Sequence, residues 1–235
     1  LMCQQNFKGH SLRYIAVGGG KTAKNLLSQA QAMDLPIYEG YGLSECVSVV
    51  SLNIPGANKP GSVGKALPHV RVSVAKDGEL IIHGQSMLGY LGNFASNESN
   101  IKTGDIGHID KDGFIFVSGR KKNTLISSFG RNVSPEWVEA TQLQSPLLAQ
   151  IAVFGDRKNC LSAVVVADNK HTDKQSLQQA ISQSNRVLPD YARVEHWVLA
   201  DQAFSPESKT LTENGRLQRD TIYQQYAEQL ERLYV

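Results

Sequence analysis

Residues 119–139 read GRKKNTLISSFGRNVSPEWVE, and this stretch divides the chain. Its first part is basic, polar and glycine-containing, the composition of a connection. Its end is a helix start. Ser134 stands at the N-cap, Pro135 at the first helical position and Glu136 in the first turn, where a missing N–H is no loss and negative charge is favoured. The sequence changes character across it. The boundary therefore falls at 120–122, with one unit over 1–119 and another over 123–235.

Upstream, LRYIAV (12–17) is a short apolar run of strand length. GGGKTAKNLLSQAQAM follows, with Leu26, Leu27, Ala30 and Met33 at helical spacings of three and four. LPIYEGYG (35–42) predicts a second strand that runs into a glycine turn. Residues 12–45 thus form a β-α-β unit at one edge of a parallel sheet. After Pro55 the pattern shifts to short alternating strands. The hairpin dipeptides Asp77-Gly78 and Asp112-Gly113 punctuate them. This predicts a compact antiparallel region, a small barrel or a distorted sheet.

Downstream, LLAQIAVFGD (147–156) and LSAVVVAD (161–168) are two apolar strands joined by a turn. A helix from about Gln175 to Ser184, a strand at RVEHWVL (193–199) and a terminal helix from about Gln218 complete a small α+β domain. The fold class is α/β for the first unit and α+β for the second.

The 235 residues are 41% hydrophobic and 20% charged, ordinary globular material for one or two domains. The balance of 24 Lys+Arg against 22 Asp+Glu, net +2, gives no argument for a nucleic-acid or polyanion partner, and no nucleic-acid partner is expected. Cys3, Cys46 and Cys160 are odd in number, scattered and without a C-x-x-C, so neither a disulfide framework nor a zinc site is suggested, and a reducing, cytoplasmic setting is expected. No apolar run reaches the roughly 18 residues needed to span a bilayer. The start at Leu1 reads like the middle of a protein, and a C-terminal fragment or processed product is expected.

Three glycine-bearing motifs come close to known devices. Gly42-Leu43-Ser44-Glu45-Cys46 approaches the G-x-S-x-G nucleophile elbow but lacks the second glycine, which lets the chain pass closely there. GGGKT (18–22) approaches the Walker loop, but Ile15 stands where its first glycine belongs. Gly18-x-Gly20-x-x-Ala23, with Glu39 roughly 20 residues on, approaches the dinucleotide fingerprint. The six-stranded parallel sheet that fingerprint serves is not predicted after Pro55.

Four stretches in series carry more weight: YGLSE (41–45), TGD (103–105), residues 119–139, and LTENGRLQR (211–219). This ordered set resembles the adenylate-forming, AMP-binding superfamily, and is most similar to long-chain fatty acyl-CoA synthetase-like members. The resemblance covers nearly the whole chain, but only the C-terminal portion of such an enzyme. It implies the end of a large AMP-binding domain over 1–119, a hinge at 120–122 centred on Lys122, and a small mobile C-terminal domain over 123–235.

The activity implied is acid–thiol ligation with ATP, Mg2+ and CoA. A carboxylic acid, fatty by resemblance, is adenylated, and the acyl group then passes to CoA or to an acyl carrier protein. An alternative is a nucleotide-binding relative without catalysis. The resemblance gives Tyr41 to the adenine face, and Gly18, Gly19, Gly20, Glu39, Gly40 and Gly42 to the nucleotide pocket. Ser44 goes to the α-phosphate, Glu45 to Mg2+, Asp105 to the ribose hydroxyls, and Arg120 to ribose or phosphate. Arg216 takes the position of a catalytic cation that is usually lysine, and arginine is planar and longer. The phosphate loop and most of the acyl pocket belong to the upstream half of such enzymes. This chain alone is therefore expected to be inactive.

Overall fold

A computed structural model of the chain describes residues 11–20, 22, 24–84, 87–89, 100–169 and 171–234. Cys3, Lys21 and Ala23 of the motifs above lie outside the described residues. The chain divides into two compact units, Leu1–Lys122 and Asn123–Val235.

In the first unit, β1 (Ile15–Val17), α1 (Lys24–Ala32) and β2 (Ile37–Tyr41) make the expected β-α-β element, and β1 pairs with β2 in parallel. Strand β1 is shorter than the apolar run suggested: Leu12 to Tyr14 precede it. The next two strands, β3 (Ser51–Leu52) and β4 (Lys65–Ala66), extend the same sheet antiparallel. A second sheet has the order β5 (Val70–Val74), β6 (Glu79–Gly84), β7 (Asn100–Ile109) and β8 (Ile115–Arg120), antiparallel throughout. Asp77-Gly78 turns β5 into β6, and Asp112-Gly113 turns β7 into β8. Bulges at Glu79/Ile81 and Ile106/Gly107 make it a distorted sheet. A bridge from Lys65 to Phe114 ties the two sheets together.

The second unit opens with a short hairpin that the sequence reading did not anticipate, β9 (Leu125–Ile126) against β10 (Asn132–Val133). Helix α2 (Pro135–Gln142) then starts as its sequence dictates: the Ser134 hydroxyl accepts from Trp137 N–H. A three-stranded sheet follows, with β12 (Leu161–Ala167) between β11 (Leu148–Phe154), antiparallel, and β13 (Val194–Leu199), parallel. Helix α3 (Lys174–Asn185) is capped by Asp173, which accepts from Ser176 N–H. Helix α4 (Arg219–Arg232) ends the unit.

The central strand explains the packing. Side chains alternate faces along a strand, and LSAVVVA has apolar residues on both. Leu161, Ala163 and Val165 pack with Val138, Leu177 and Ile181 of α2 and α3. Val164 and Val166 pack with Ile222, Tyr226 and Leu230 of α4. A strand covered on both faces reads as a continuous apolar run, as this one does. No helix among the described residues is long and apolar enough to cross a membrane.

Candidate functional site

The carboxyl ends of β1 and β2 lie side by side, with Val17 opposite Glu39. Gly18, Gly19 and Gly20 leave β1 at this end; Gly40 and Tyr41 are the last residues of β2, and Gly42 follows it. Ligands of open α/β sheets bind outside such strand ends. Glu39 is buried, while Gly18 to Gly20 are exposed.

The chain then doubles back. Ser44–Cys46 is a single 3-10 turn, and Val50 N–H returns to the Tyr41 carbonyl at 2.9 Å. The turn presses its backbone onto Gly42: a Cβ there would lie 1.5 Å from the Ser48 carbonyl oxygen. Glycine is required at 42 by that approach. Val47 and Ser48 both adopt left-handed backbone, φ 58° and 76°. A β-branched residue in that region is strained, and such strain collects at functional loops. Ser44 is exposed and Glu45 half-buried, with Cys46 buried beneath them.

Asp105 comes from the other sheet. It sits in β7, buried, where its N–H bonds the Thr103 hydroxyl at 3.0 Å. The Tyr41 hydroxyl donates to Asp105 Oδ2 at 2.6 Å, and Arg120 Nε of β8 lies 3.0 Å from Oδ1. Arg120 is steadied in turn by Nη1 donating to the Thr103 carbonyl at 2.9 Å. Burial, and then the bond to Asp105, push the Tyr41 hydroxyl well above the usual phenol range, so it stays a donor. An ionised carboxylate has about four acceptor positions. Tyr41 and Arg120 each address one Asp105 oxygen and fix the plane of the carboxylate, the kind of acceptor that the adjacent hydroxyls of a diol require.

Tyr41, Asp105 and Arg120 are thus directly linked. Gly18 to Gly20, Glu39, Gly40 and Gly42 lie on the same strand ends as Tyr41. Ser44 and Glu45 follow on the turn. The linkage of Tyr41 to Asp105 spans two sheets, and no local pattern in the sequence reveals it.

Lys121 closes the first unit. Its ammonium reaches Asp77 Oδ2 at 2.6 Å and Glu79 Oε2 at 2.9 Å, and these bonds raise its pKa to about 12. Lys122 follows, exposed, in the short turn Lys121–Asn123.

In the second unit, Arg216 is exposed at the tip of a tight turn closed by the Leu211–Leu217 bridge. Gly215 takes φ 74°, and Arg216 N–H bonds the Thr212 hydroxyl at 3.0 Å. Three residues on, Arg219 forms a two-pronged pair with Glu139 of α2: Nη1 to Oε1 at 2.5 Å and Nη2 to Oε2 at 2.7 Å. Val153 N–H donates to the same carboxylate at 2.8 Å. Burial pushes the Glu139 carboxyl up. Burial also opposes the charge on Arg219, but the Glu139 carboxylate outweighs it and raises the guanidinium further. Arg219 is the last residue of the LTENGRLQR stretch. Its partner lies 80 positions away, and nothing in local pattern connects them.

Comparison with known families finds two matches. The model of the AMP-binding enzyme family matches residues 2–91, and that of the AMP-binding enzyme C-terminal domain matches residues 122–235. A long-chain-fatty-acid–CoA ligase, FadD15 of Mycobacterium bovis, is 28% identical over 96% of the chain and 42% of its own length. A 2-succinylbenzoate–CoA ligase of Listeria monocytogenes is 31% identical over 92% of the chain and 47% of its own. The solved structure of O-succinylbenzoate coenzyme A synthetase from Bacillus subtilis with AMP superposes with a TM-score of 0.73, at 25% identity, covering 89% of this chain and 45% of that one. The chain spans less than half the length of these relatives.

Proposed function

The chain belongs to the AMP-binding enzyme family, and on that premise we propose that its protein is an ATP-dependent acid–thiol ligase. In the proposed reaction the oxygen of a carboxylic acid attacks the α-phosphorus of ATP and pyrophosphate leaves. The sulfur of CoA then attacks the acyl carbon and AMP leaves. The acid is fatty in our reading, after the relatives that ligate long-chain fatty acids.

The observation that carries this is the Asp105 carboxylate, held on one oxygen by Tyr41 and on the other by Arg120. So fixed, Asp105 receives the two ribose hydroxyls without reorganising. The Tyr41 ring lies along the adenine face, with its hydroxyl already spent on positioning Asp105. Gly18 to Gly20, Glu39, Gly40 and Gly42 give a backbone edge that approaches the base. Ser44, exposed on its turn, donates to the α-phosphate. Glu45 offers a hard carboxylate oxygen that would hold Mg2+, an ion that neutralises phosphate charge when bound. Arg216 supplies a cation to the reacting carboxylate and α-phosphate. Lys122 is the pivot about which the second unit turns between the two half-reactions. We place the protein in the cytoplasm, on its scattered cysteines.

The test is exchange of labelled pyrophosphate into ATP, dependent on a fatty acid, by the protein at the length of its relatives. Arg216→Ala should slow acyl-AMP formation by about 10²–10³, the usual effect of removing one stabilising charge, while sparing CoA transfer from preformed acyl-AMP. A second reading rests on Arg216 itself: arginine at a lysine position suits a nucleotide-binding relative without catalysis. Absence of exchange with intact ATP binding would favour that reading. A phosphopantetheinylated carrier protein competing with CoA identifies the thiol.

A further inference from the structure

We propose that Cys160, Glu195 and His196 form a site for a divalent transition metal of the zinc type, on the face of the second unit's sheet that carries α4. The Cys160 sulfur, a Glu195 carboxylate oxygen and a His196 ring nitrogen all lie within 4.8 Å of one another. A regular strand does not permit this, because neighbours such as Glu195 and His196 point to opposite faces.

The register supplies the reason. Leu161 pairs with Val194, but the next residue, Ser162, pairs with His196. Glu195 is the extra residue of a β-bulge, a device that re-aims side chains. Packing agrees. Val194 and Trp197 both join the cluster under α2 and α3 although they are three apart, which strict alternation forbids. The phase slips between them, so Glu195 and His196 share the α4 face. Cys160 precedes Leu161, which packs on the α2–α3 side, and its side chain falls on the α4 face too.

Tyr234 braces the group. Its hydroxyl bonds the Ser162 hydroxyl at 2.8 Å and lies 3.3 Å from the Cys160 carbonyl oxygen. Its ring meets His196 edge-on at 84°. These contacts hold the Cys160 backbone and the edge of the His196 ring beside each other. A thiolate, an imidazole and a carboxylate suit zinc and disfavour magnesium or calcium, which take oxygen ligands. Bonds of roughly 2.0–2.3 Å put tetrahedral ligand atoms about 3.5 Å apart, so small side-chain rotations close the site. Cys160 gives its S–H proton to solvent as the metal–sulfur bond forms, one proton per ion. Glu195 is exposed, and water takes the fourth position.

Cobalt(II) is the probe, titrated into the reduced, metal-stripped chain. The expected result is a sulfur-to-cobalt charge-transfer band that saturates at one ion per chain and bleaches on adding zinc. Cys160→Ser should abolish the band, and Cys46→Ser should leave it. Glu195→Gln and His196→Gln should each weaken cobalt binding more than about tenfold, since loss of even an outer partner costs 10–100-fold. Absence of the band in folded protein, or its survival in Cys160→Ser, would overturn the site. If Cys160→Ser does not fold, Glu195→Gln at its exposed position decides, and unchanged affinity there overturns the three-ligand site. An unchanged circular dichroism spectrum shows that each variant is folded.

Discussion

Arg219→Ala tests what fixes the start of α4 and, with it, the turn that presents Arg216. The side chains of Arg219 and Glu139 are only 15% and 7% exposed, so water screens the pair little. Removing the guanidinium leaves a buried carboxylate with a single remaining hydrogen bond, from Val153 N–H. Breaking a buried pair by removing one partner costs about 3–5 kcal/mol. At about 4 °C per kcal/mol for a unit of this size, the midpoint should fall by roughly 12–20 °C. The sign of the pH dependence follows from Glu139. Burial raises its folded pKa above the unfolded value, so its contribution is fullest below the unfolded pKa and is lost as pH rises through the folded one. Without Arg219 only the bond from Val153 N–H opposes that rise. The variant's deficit should therefore be largest near neutral pH and narrow on acidification. Adding Glu139→Gln to Arg219→Ala should recover part of the loss and remove the pH dependence. Urea unfolding followed by tryptophan fluorescence is the assay, because the chain's two tryptophans, Trp137 and Trp197, both lie in the second unit. A deficit under about 1 kcal/mol, or one that widens on acidification, would refute the reasoning.

Other expectations concern the first unit. Gly42→Ala places a Cβ 1.5 Å from the Ser48 carbonyl oxygen, so the 43–48 turn must open; ATP should then no longer raise the melting midpoint of the full-length protein, and an undiminished rise would show that the turn does not serve the nucleotide. Tyr41→Phe removes the 2.6 Å bond to Asp105 and should cost about 1.5–3 kcal/mol, the worth of a hydrogen bond to a charged group, in urea unfolding followed by circular dichroism; a neutral substitution would mean the bond is not maintained in solution. Val47→Asn should stabilise by about 1 kcal/mol, because a left-handed φ costs a branched residue about 1–2 kcal/mol and this side chain is 63% exposed with φ 58°; a loss of stability would mean the Val47 side chain contributes packing that outweighs the strain.

What the sequence made legible was local. Ser134-Pro135-Glu136 announced α2 because a cap and a first turn are written in consecutive residues. Asp77-Gly78 and Asp112-Gly113 announced their hairpins for the same reason. The apolar run 161–167 announced a strand, though not that it would be walled on both faces. The short hairpin of β9 and β10 was hidden in a polar stretch, where no period marks strands of two residues. The candidate site was legible as residue types in series. Its wiring was not, because Tyr41 and Asp105 are 64 positions apart and only the packing of two sheets brings them together. The bulge at Glu195 was likewise unreadable, since VEHWVL shows no break in composition.

The double-walled β12 has a bearing on how the second unit finds its alignment. In a strand with one oily and one wet side, a slip of one position is punished at once by polarity. Here both sides are oily, and polarity is nearly silent. Ser162 breaks the symmetry. It is buried, paired across the sheet with Phe154 on one side and His196 on the other, and its hydroxyl is matched by Tyr234 of the residues after α4. Shifted by one, the hydroxyl would face the α2–α3 side and lose that partner, leaving a polar group stranded in hydrocarbon. One serine therefore acts as the notch on a key, telling an otherwise ambidextrous strand which way it has been inserted.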